Sequence, residues 1–238
     1  MCGPLVWSAD DGSFGTLEMH RMTITKIGHC CLLVDLKTAV VLTDPGKFTA
    51  TSPLPKRVDV VVISHEHSDH VHVPTVQALR ERFPEVPIVT NSAVAHLLAE
   101  AAISNVTILE GTAAATIAGV YFEAFDTAHA EIFESFGQVQ NTGYFISERL
   151  FYPGDSYGKP GRPVEVLALP VGGPWCRMTD ALHYALQVAP KAVFPVHDAI
   201  ERADCITIHH GLAARILEER GIAFTSLQPG ESVRYESV

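Results

Sequence analysis

Paired cysteines, basic residues and long apolar runs are all scarce in this 238-residue chain, and each scarcity removes a class of protein. The 5 cysteines (Cys2, Cys30, Cys31, Cys176 and Cys205) are odd in number and contain no C-x-x-C. They form neither a disulfide framework nor a cysteine zinc site, and a reducing, cytoplasmic setting is expected. Lys+Arg total 17 against Asp+Glu 27, a formal charge of −10. That balance repels a nucleic-acid backbone at long range, and no Lys/Arg-rich insertion offsets it. No apolar run approaches the ~20 residues of a membrane span. The N-terminus lacks the basic and apolar segments of a signal peptide. What remains is 47% hydrophobic with a mean hydropathy of +0.17, enough to bury a sizeable core. A small-molecule partner is the expectation, and nothing in the sequence specifies an oligomeric state.

The informative stretch is Ser64-His65-Glu66-His67-Ser68-Asp69-His70. It follows Val58-Asp59-Val60-Val61-Val62-Ile63, a β-branched run that reads as a buried strand. Three histidines and an aspartate at the carboxyl end of a strand form a metal-ligand arrangement. On extended backbone His65 and His67 project to one side. A turn after them lets Asp69 and His70 face a second point, so one segment can feed two adjacent ions.

Regular patterning begins at Met22. Residues 1–20 read as an extension or extra strands, with Met19 or Met22 as an alternative start, and residues 21–238 as one domain. Strands are expected over Thr23–Ile27, Cys31–Asp35 and Ala39–Thr43, the last ended by the turn Asp44-Pro45-Gly46. Pro74 opens a helix at its first position. Ile88–Thr90 is a strand, and Asn91 or Ser92 caps a helix to about Ala101. A second β-rich stretch spans Thr116 to Tyr152, with strands at Val120–Phe125, Gly143–Ser147 and Leu150–Tyr152. Val164–Leu169 and Ala192–Phe194 are further strands. Helices are expected over 179–188 and 208–219, and a short strand pair closes the chain. The order is β-rich, α, β-rich, α. Two sheets face to face with helices outside satisfy it.

Three more residues with ligand chemistry stand just past strands: His129, Asp155 in Tyr152-Pro153-Gly154-Asp155, and His197. Strand ends converging on one rim can assemble a site. Taken alone, Asp155 reads as a turn residue. His72 reads as a helix-start residue, and His96, His183, His209 and His210 as caps or solvent-facing groups.

With those residues in place the chain resembles the metallo-β-lactamase superfamily. His65-Glu66-His67-Ser68-Asp69-His70 matches its H-x-H-x-D-H, and His129, Asp155 and His197 follow in the order of its later motifs. Within it the chain is most similar to small metal-dependent hydrolases related to ascorbate-6-phosphate lactonase. That similarity is carried by Ile27-Gly28-His29-Cys30-Cys31-Leu32, Leu42-Thr43-Asp44-Pro45, Leu169–Trp175 and Phe194–Ala199. The resemblance implies an α+β four-layer αββα sandwich of two mixed sheets with helices outside. It also implies two divalent ions: His65, His67 and His129 on one, Asp69, His70 and His197 on the other, Asp155 bridging. Flavodiiron proteins carry Glu where this chain has His67, which disfavours that branch.

The implied chemistry is hydrolysis of a small ester, lactone or phosphoester by a metal-bridging hydroxide. Asp69 and Asp155 are the catalytic carboxylates, and Asp69 is also a possible proton shuttle. Imidazole and carboxylate ligands suit zinc, manganese or iron, with zinc the default. Asp44 is placed behind a ligand histidine, fixing its tautomer, or else is a plain turn residue. His29 reads as a group near the site or a turn histidine, and Trp175 as pocket wall or core. Arg162, Arg177 and Lys159 are loop cations that could meet a phosphate or only solvent. The alternatives are a nuclease or phosphodiesterase of the same superfamily and a non-catalytic metal-binding module.

Overall fold

The computed structural model describes residues 21–236. The expectations placed on residues 1–20 lie outside them. The first sheet is built from β1 (Met22–Gly28), β2 (Cys31–Asp35), β3 (Val40–Thr43), β4 (Val60–Val62), β5 (Ile88–Thr90), β6 (Val106–Ile108) and β14 (Ser232–Tyr235), in the order β14-β1-β2-β3-β4-β5-β6. The second contains β7 (Ala114–Ile117), β8 (Val120–Ala128), β9 (Gln140–Ile146), β10 (Leu150–Tyr152), β11 (Val166–Pro170), β12 (Ala192–Val196) and β13 (Ala223–Phe224), in the order β13-β12-β11-β10-β9-β8-β7. Each sheet is antiparallel in one half and parallel in the other. The switch falls at β3–β4 in the first sheet and at β10–β11 in the second. Both sheets are therefore mixed.

Helices α1 (Val73–Arg82) and α2 (Ser92–Glu100) connect parallel strands of the first sheet, and α3 (Met178–Val188) and α4 (Ala203–Glu218) those of the second. Period-two alternation explains the layers. Val60 and Val62 join Phe122, Tyr144, Tyr152 and Phe194 in the core between the sheets. Val61 and Ile63 pack outward with Val76 and Leu79 of α1 and Val94 and Leu98 of α2. Val166 and Ala168 face inward, whereas Leu167 and Leu169 meet Ala181, Leu182 and Ala185 of α3 and Leu217 of α4. A strand covered on both faces is a continuous apolar run, which is how β4 and β11 read in sequence. The result is the expected αββα sandwich.

Several boundaries differ from the sequence expectation. α4 starts at Ala203, not 208, because the β-branched run Ile206-Thr207-Ile208 lowers helix propensity and masks the start in the sequence. β9 starts at Gln140, three residues before Gly143, since Asn141 and Thr142 are polar yet buried. Pro74 is the second residue of α1, with His72 at its N-cap. Asn91, not Ser92, caps α2, its side chain accepting from Val94 N–H at 3.0 Å. His210 is buried, where a solvent-facing group was expected. Cys30, Cys31, Cys176 and Cys205 are free thiols. No helix among the described residues is long and apolar enough to cross a membrane.

Candidate metal centre

Both sheets end on the same rim. The carboxyl end of β3 delivers Asp44, β4 the 64–70 segment, β8 His129, β10 Asp155, β11 the loop to Trp175, and β12 His197. The turn between β1 and β2 adds His29. Carboxyl ends of strands are where open α/β sheets gather ligands, and here two such edges converge.

All seven proposed ligands come together. One ligand atom from each of His65, His67, His129 and Asp155 lies within 4.8 Å of all the others. Asp155 is the hub. Its Oδ2 is 2.9 Å from His197 Nε2, 3.5 Å from His129 Nε2 and 3.8 Å from His65 Nε2, and its Oδ1 is 3.1 Å from His70 Nε2. Asp69 stands at the mouth, its Oδ2 3.6 Å from His197 Nε2 and 3.4 Å from His29 Nε2. The Nε2 atoms of His65, His70, His129 and His197, together with Asp155 Oδ1, are buried and have no hydrogen-bond partner. Orphaned polar atoms inside a protein are rare and costly. Five of them pointing at one space fit a bound cation.

The far sides of the His65, His70 and His129 rings are satisfied, which fixes how those three aim. Asp44 is fully buried and accepts from Ser64 N–H (2.8 Å), Ser64 Oγ–H (2.6 Å), Tyr152 O–H (2.6 Å) and His70 Nδ1–H (2.5 Å). Ser64 Oγ, having given its proton to Asp44, accepts from His65 Nδ1 at 3.0 Å. His129 Nδ1 donates to the Ala130 carbonyl at 2.7 Å. Each bond puts the proton on Nδ1 and leaves Nε2 to face the centre. His29 is different. Its Nδ1 accepts from Ala199 N–H at 3.3 Å, so in the neutral ring Nε2 carries the proton and points at Asp69. His29, Cys30, His70 and His197 are also close enough to hold an ion. The His29 tautomer and a Cys30 thiol pushed far up by burial and by the Asp155 and Asp44 charges weaken that set.

Protonation follows position. Burial and the neighbouring His70 push His65 well below the ordinary imidazole value, and burial lowers His29 to about 4. Burial would lower His70 and His197 too. Asp155 with Asp44 instead holds His70 well above its usual range, and Asp155 raises His197 to about 9. Burial alone would raise Asp155 and Asp69, yet His70 and His197 keep Asp155 ionised, and His197 and His29 do the same for Asp69. His29, Asp44 and His197 also sit at φ of 51°, 34° and 62°, left-handed backbone that non-glycine residues rarely adopt. Strain of this kind collects at functional sites.

The family model for the beta-lactamase superfamily domain matches residues 23–197, from β1 through the last histidine of the centre. The chain belongs to the beta-lactamase superfamily. Protein Rv0786c of Mycobacterium tuberculosis is 29% identical over 195 residues, covering 80% of this chain and 90% of that protein. Among solved structures, Igni18, a metallo hydrolase from Ignicoccus hospitalis, superposes with a TM-score of 0.72 at 18% identity over 92% of this chain and all of that one. CmlA, a diiron β-hydroxylase from Streptomyces venezuelae, superposes with a TM-score of 0.67 at 16% identity, over 91% of this chain and 54% of CmlA. These likenesses place the fold within the superfamily's architecture.

Asp44 stands behind His70 as the sequence placed it, but the groups that hold Asp44 and Asp155 themselves were not singled out in the sequence. Asn141 accepts from Asp155 N–H at 3.0 Å and donates to the Pro153 carbonyl, setting the turn that presents Asp155. Ser64 and Tyr152 anchor Asp44. Gly46 is packed so closely that an added Cβ would lie 1.6 Å from the Asp69 carbonyl oxygen and 2.7 Å from His70 N. Lys47 N–H to Ser68 O (2.8 Å) and His72 N–H to Pro45 O (3.1 Å) tie the two loops on either side. Asp-Pro-Gly is thus a clamp on the histidine loop, and its glycine is needed for close approach. Gly46→Ala should destabilise the fold by about 1–3 kcal/mol and weaken metal uptake. Thermal melts and metal titration of the purified variant check both. Arg162 does not reach the centre: it pairs with Glu123 and Glu148. Arg177 pairs with Asp180 at 2.8 Å.

Proposed function

We infer that this chain is a binuclear metal-dependent hydrolase of a small ester, lactone or phosphoester. The observation that carries this is the set of buried, partnerless Nε2 atoms arranged around the Asp155 carboxylate. His65, His67 and His129 would hold one ion, Asp69, His70 and His197 the second, with Asp155 between. Two imidazole-rich sets sharing a carboxylate suit zinc by default, and manganese or iron by ligand chemistry. When bound, such a pair lowers the pKa of coordinated water toward neutrality and polarises the electrophilic oxygen.

The chain's own residues do the rest. Asp44, Ser64 and the Ala130 carbonyl keep His70, His65 and His129 in the tautomer that offers Nε2. Asp69 is the partly solvent-reachable carboxylate of the centre, its side chain 23% exposed against 2% for Asp155. It is therefore the group placed to pass a proton between the centre and bulk water, with His29 Nε2 3.4 Å from the same Oδ2 that faces His197. Because Asp155 with Asp44 favours the protonated form of His70, and Asp155 that of His197, ions compete with protons for those rings. Occupancy should rise with pH, and mixing with metal in weak buffer should acidify the solution. Zinc binding that is indifferent to pH between about 6 and 9 would contradict this.

Turnover of γ-butyrolactone, p-nitrophenyl acetate and bis-p-nitrophenyl phosphate by protein reconstituted with zinc, manganese or iron tests the reading. Hydrolysis of at least one, dependent on added metal, is expected. Full occupancy with no turnover of any would move the chain to the binding-module class.

A further inference from the structure

The cleft above the centre carries several apolar side chains and a single lysine. The open cleft over His67, His129, His197, Asp69 and Asp155 is lined by Lys47 and Ser68 together with Ile132, Phe136, Pro174 and Trp175. Lys47 is the single lysine or arginine among its described lining residues. The adjoining cleft past Trp175 is lined by Glu131 and Asp180 and by no cation. A phosphate recognised by protein normally meets charge-assisted, often bidentate, donors. Arg162 and Arg177 are committed elsewhere to carboxylates.

The apolar wall is built. Residues 131–137 form a tight turn in which Phe136 N–H donates to the Phe133 carbonyl at 2.9 Å and Glu134 N–H to the Glu131 carboxylate at 3.1 Å. The turn leaves Phe133 68% and Phe136 71% exposed, among the most exposed large hydrophobic side chains described. Trp175 continues the surface to the bottom of the cleft, its Nε1–H donating to Asp155 Oδ2 at 3.2 Å. Ile132, Phe136, Pro174 and Trp175 thus line the same cleft as the hub carboxylate. Isolated exposed apolar residues need no explanation, but several lining one cleft beside a polar centre mark a binding surface.

We propose that the substrate is a carboxylic ester or lactone whose apolar acyl or aryl arm lies against Ile132, Phe136 and Trp175. This rests on the hydrolase reading above and names its substrate class. In the reaction water adds to the acyl carbon, the acyl carbon–oxygen bond breaks, and the alkoxide oxygen leaves as the alcohol after taking a proton. The acid product ionises and releases the other proton. Lys47, at the rim, meets the single carboxylate so formed.

The test uses the full chain loaded with zinc and a series of p-nitrophenyl esters from acetate to octanoate, with p-nitrophenyl phosphate and bis-p-nitrophenyl phosphate beside them. kcat/KM should rise about tenfold or more along the series, as transfer of added methylenes out of water predicts. Phe136→Ala should collapse the octanoate-to-acetate ratio, while Ile108→Ala, on the distant edge strand β6, should leave it intact. Calorimetry supplies a second readout: octanoate should bind the protein more tightly than inorganic phosphate, and Phe136→Ala should remove that difference. A flat ester series, preference for the phosphoesters, or a Phe136→Ala effect confined to self-association would overturn the proposal while leaving the hydrolase reading standing. Inactivity toward every ester and phosphoester would remove both.

Discussion

Asp155→Ala is expected to lower turnover on the order of 10³-fold or more, the scale seen when one member of a catalytic unit is removed. The reason is geometric. A single buried carboxylate lies within 3.8 Å of an Nε2 atom from each of four histidines contributed by three separate segments. Without it the proposed centre keeps only one carboxylate, Asp69, at its mouth, and loses the carboxylate that would lie between two ions. Metal content should fall with activity. The fold should survive, because His70 keeps its buried partner Asp44 and His197 loses the anion that favours its charged form, so neither ring is left as an uncompensated buried charge. Circular dichroism and a thermal melt of the metal-free variant separate the two effects. A variant that keeps its metal and its turnover would refute the role given to Asp155.

Lys26→Ala should cost about 3–5 kcal/mol, the range for breaking one side of a buried ion pair. Lys26 is fully buried in β1 and donates to Asp198 Oδ2 at 2.6 Å and to the Pro195 carbonyl at 3.0 Å. Asp198 follows His197 directly, and its Oδ2 also lies 3.4 Å from His210 Nε2 on α4. The network thus joins the first sheet, the end of β12 and α4 at the point that carries a centre histidine on strained backbone. For a chain of this size such a loss lowers Tm by about 10 °C. The double variant Lys26→Met with Asp198→Asn should recover much of it, since removing both charges leaves neither unpaired. The pH dependence has a definite sign. Burial would raise the Asp198 carboxyl, but His210 and Lys26 hold it below its ordinary value. Its contribution is complete above the unfolded pKa of about 3.9 and is lost as pH falls through the lower folded value. The Lys26 variant should therefore show a shallower acid limb in a stability–pH profile, and an acid limb identical to that of the parent would argue against the pair.

The centre was legible where chemistry is concentrated in short segments. His65 to His70, His129, Asp155 and His197 all stand directly after strands, and ligand types at strand ends are a local signal. The supports were not legible, because they act across long separations. Tyr152 reaches Asp44 from 108 residues away in the other sheet, and Asn141 serves Asp155 from inside a strand whose polar residues do not read as one. Lys26 did leave a trace. Met22, Ile24 and Lys26 share the inward face of β1 by period two, and all three are buried. A charge on an inward face calls for a partner, but nothing local says it is Asp198. His210 was misjudged for the same reason: its partners Ser226 and Asp198 lie outside its own helix. The layered fold was readable because β4 and β11 are apolar on both faces. The start of α4 was not, since its first turns carry the β-branched run Ile206-Thr207-Ile208 and no apolar stripe that marks a helix.

The most direct measurement is metal per chain by elemental analysis of purified protein, followed by equilibrium titration of zinc into the metal-free form. The account predicts about two ions per chain, falling in Asp155→Ala, with proton release on binding. No bound metal, and no uptake on titration, would contradict it and leave the buried Nε2 atoms around Asp155 without an explanation.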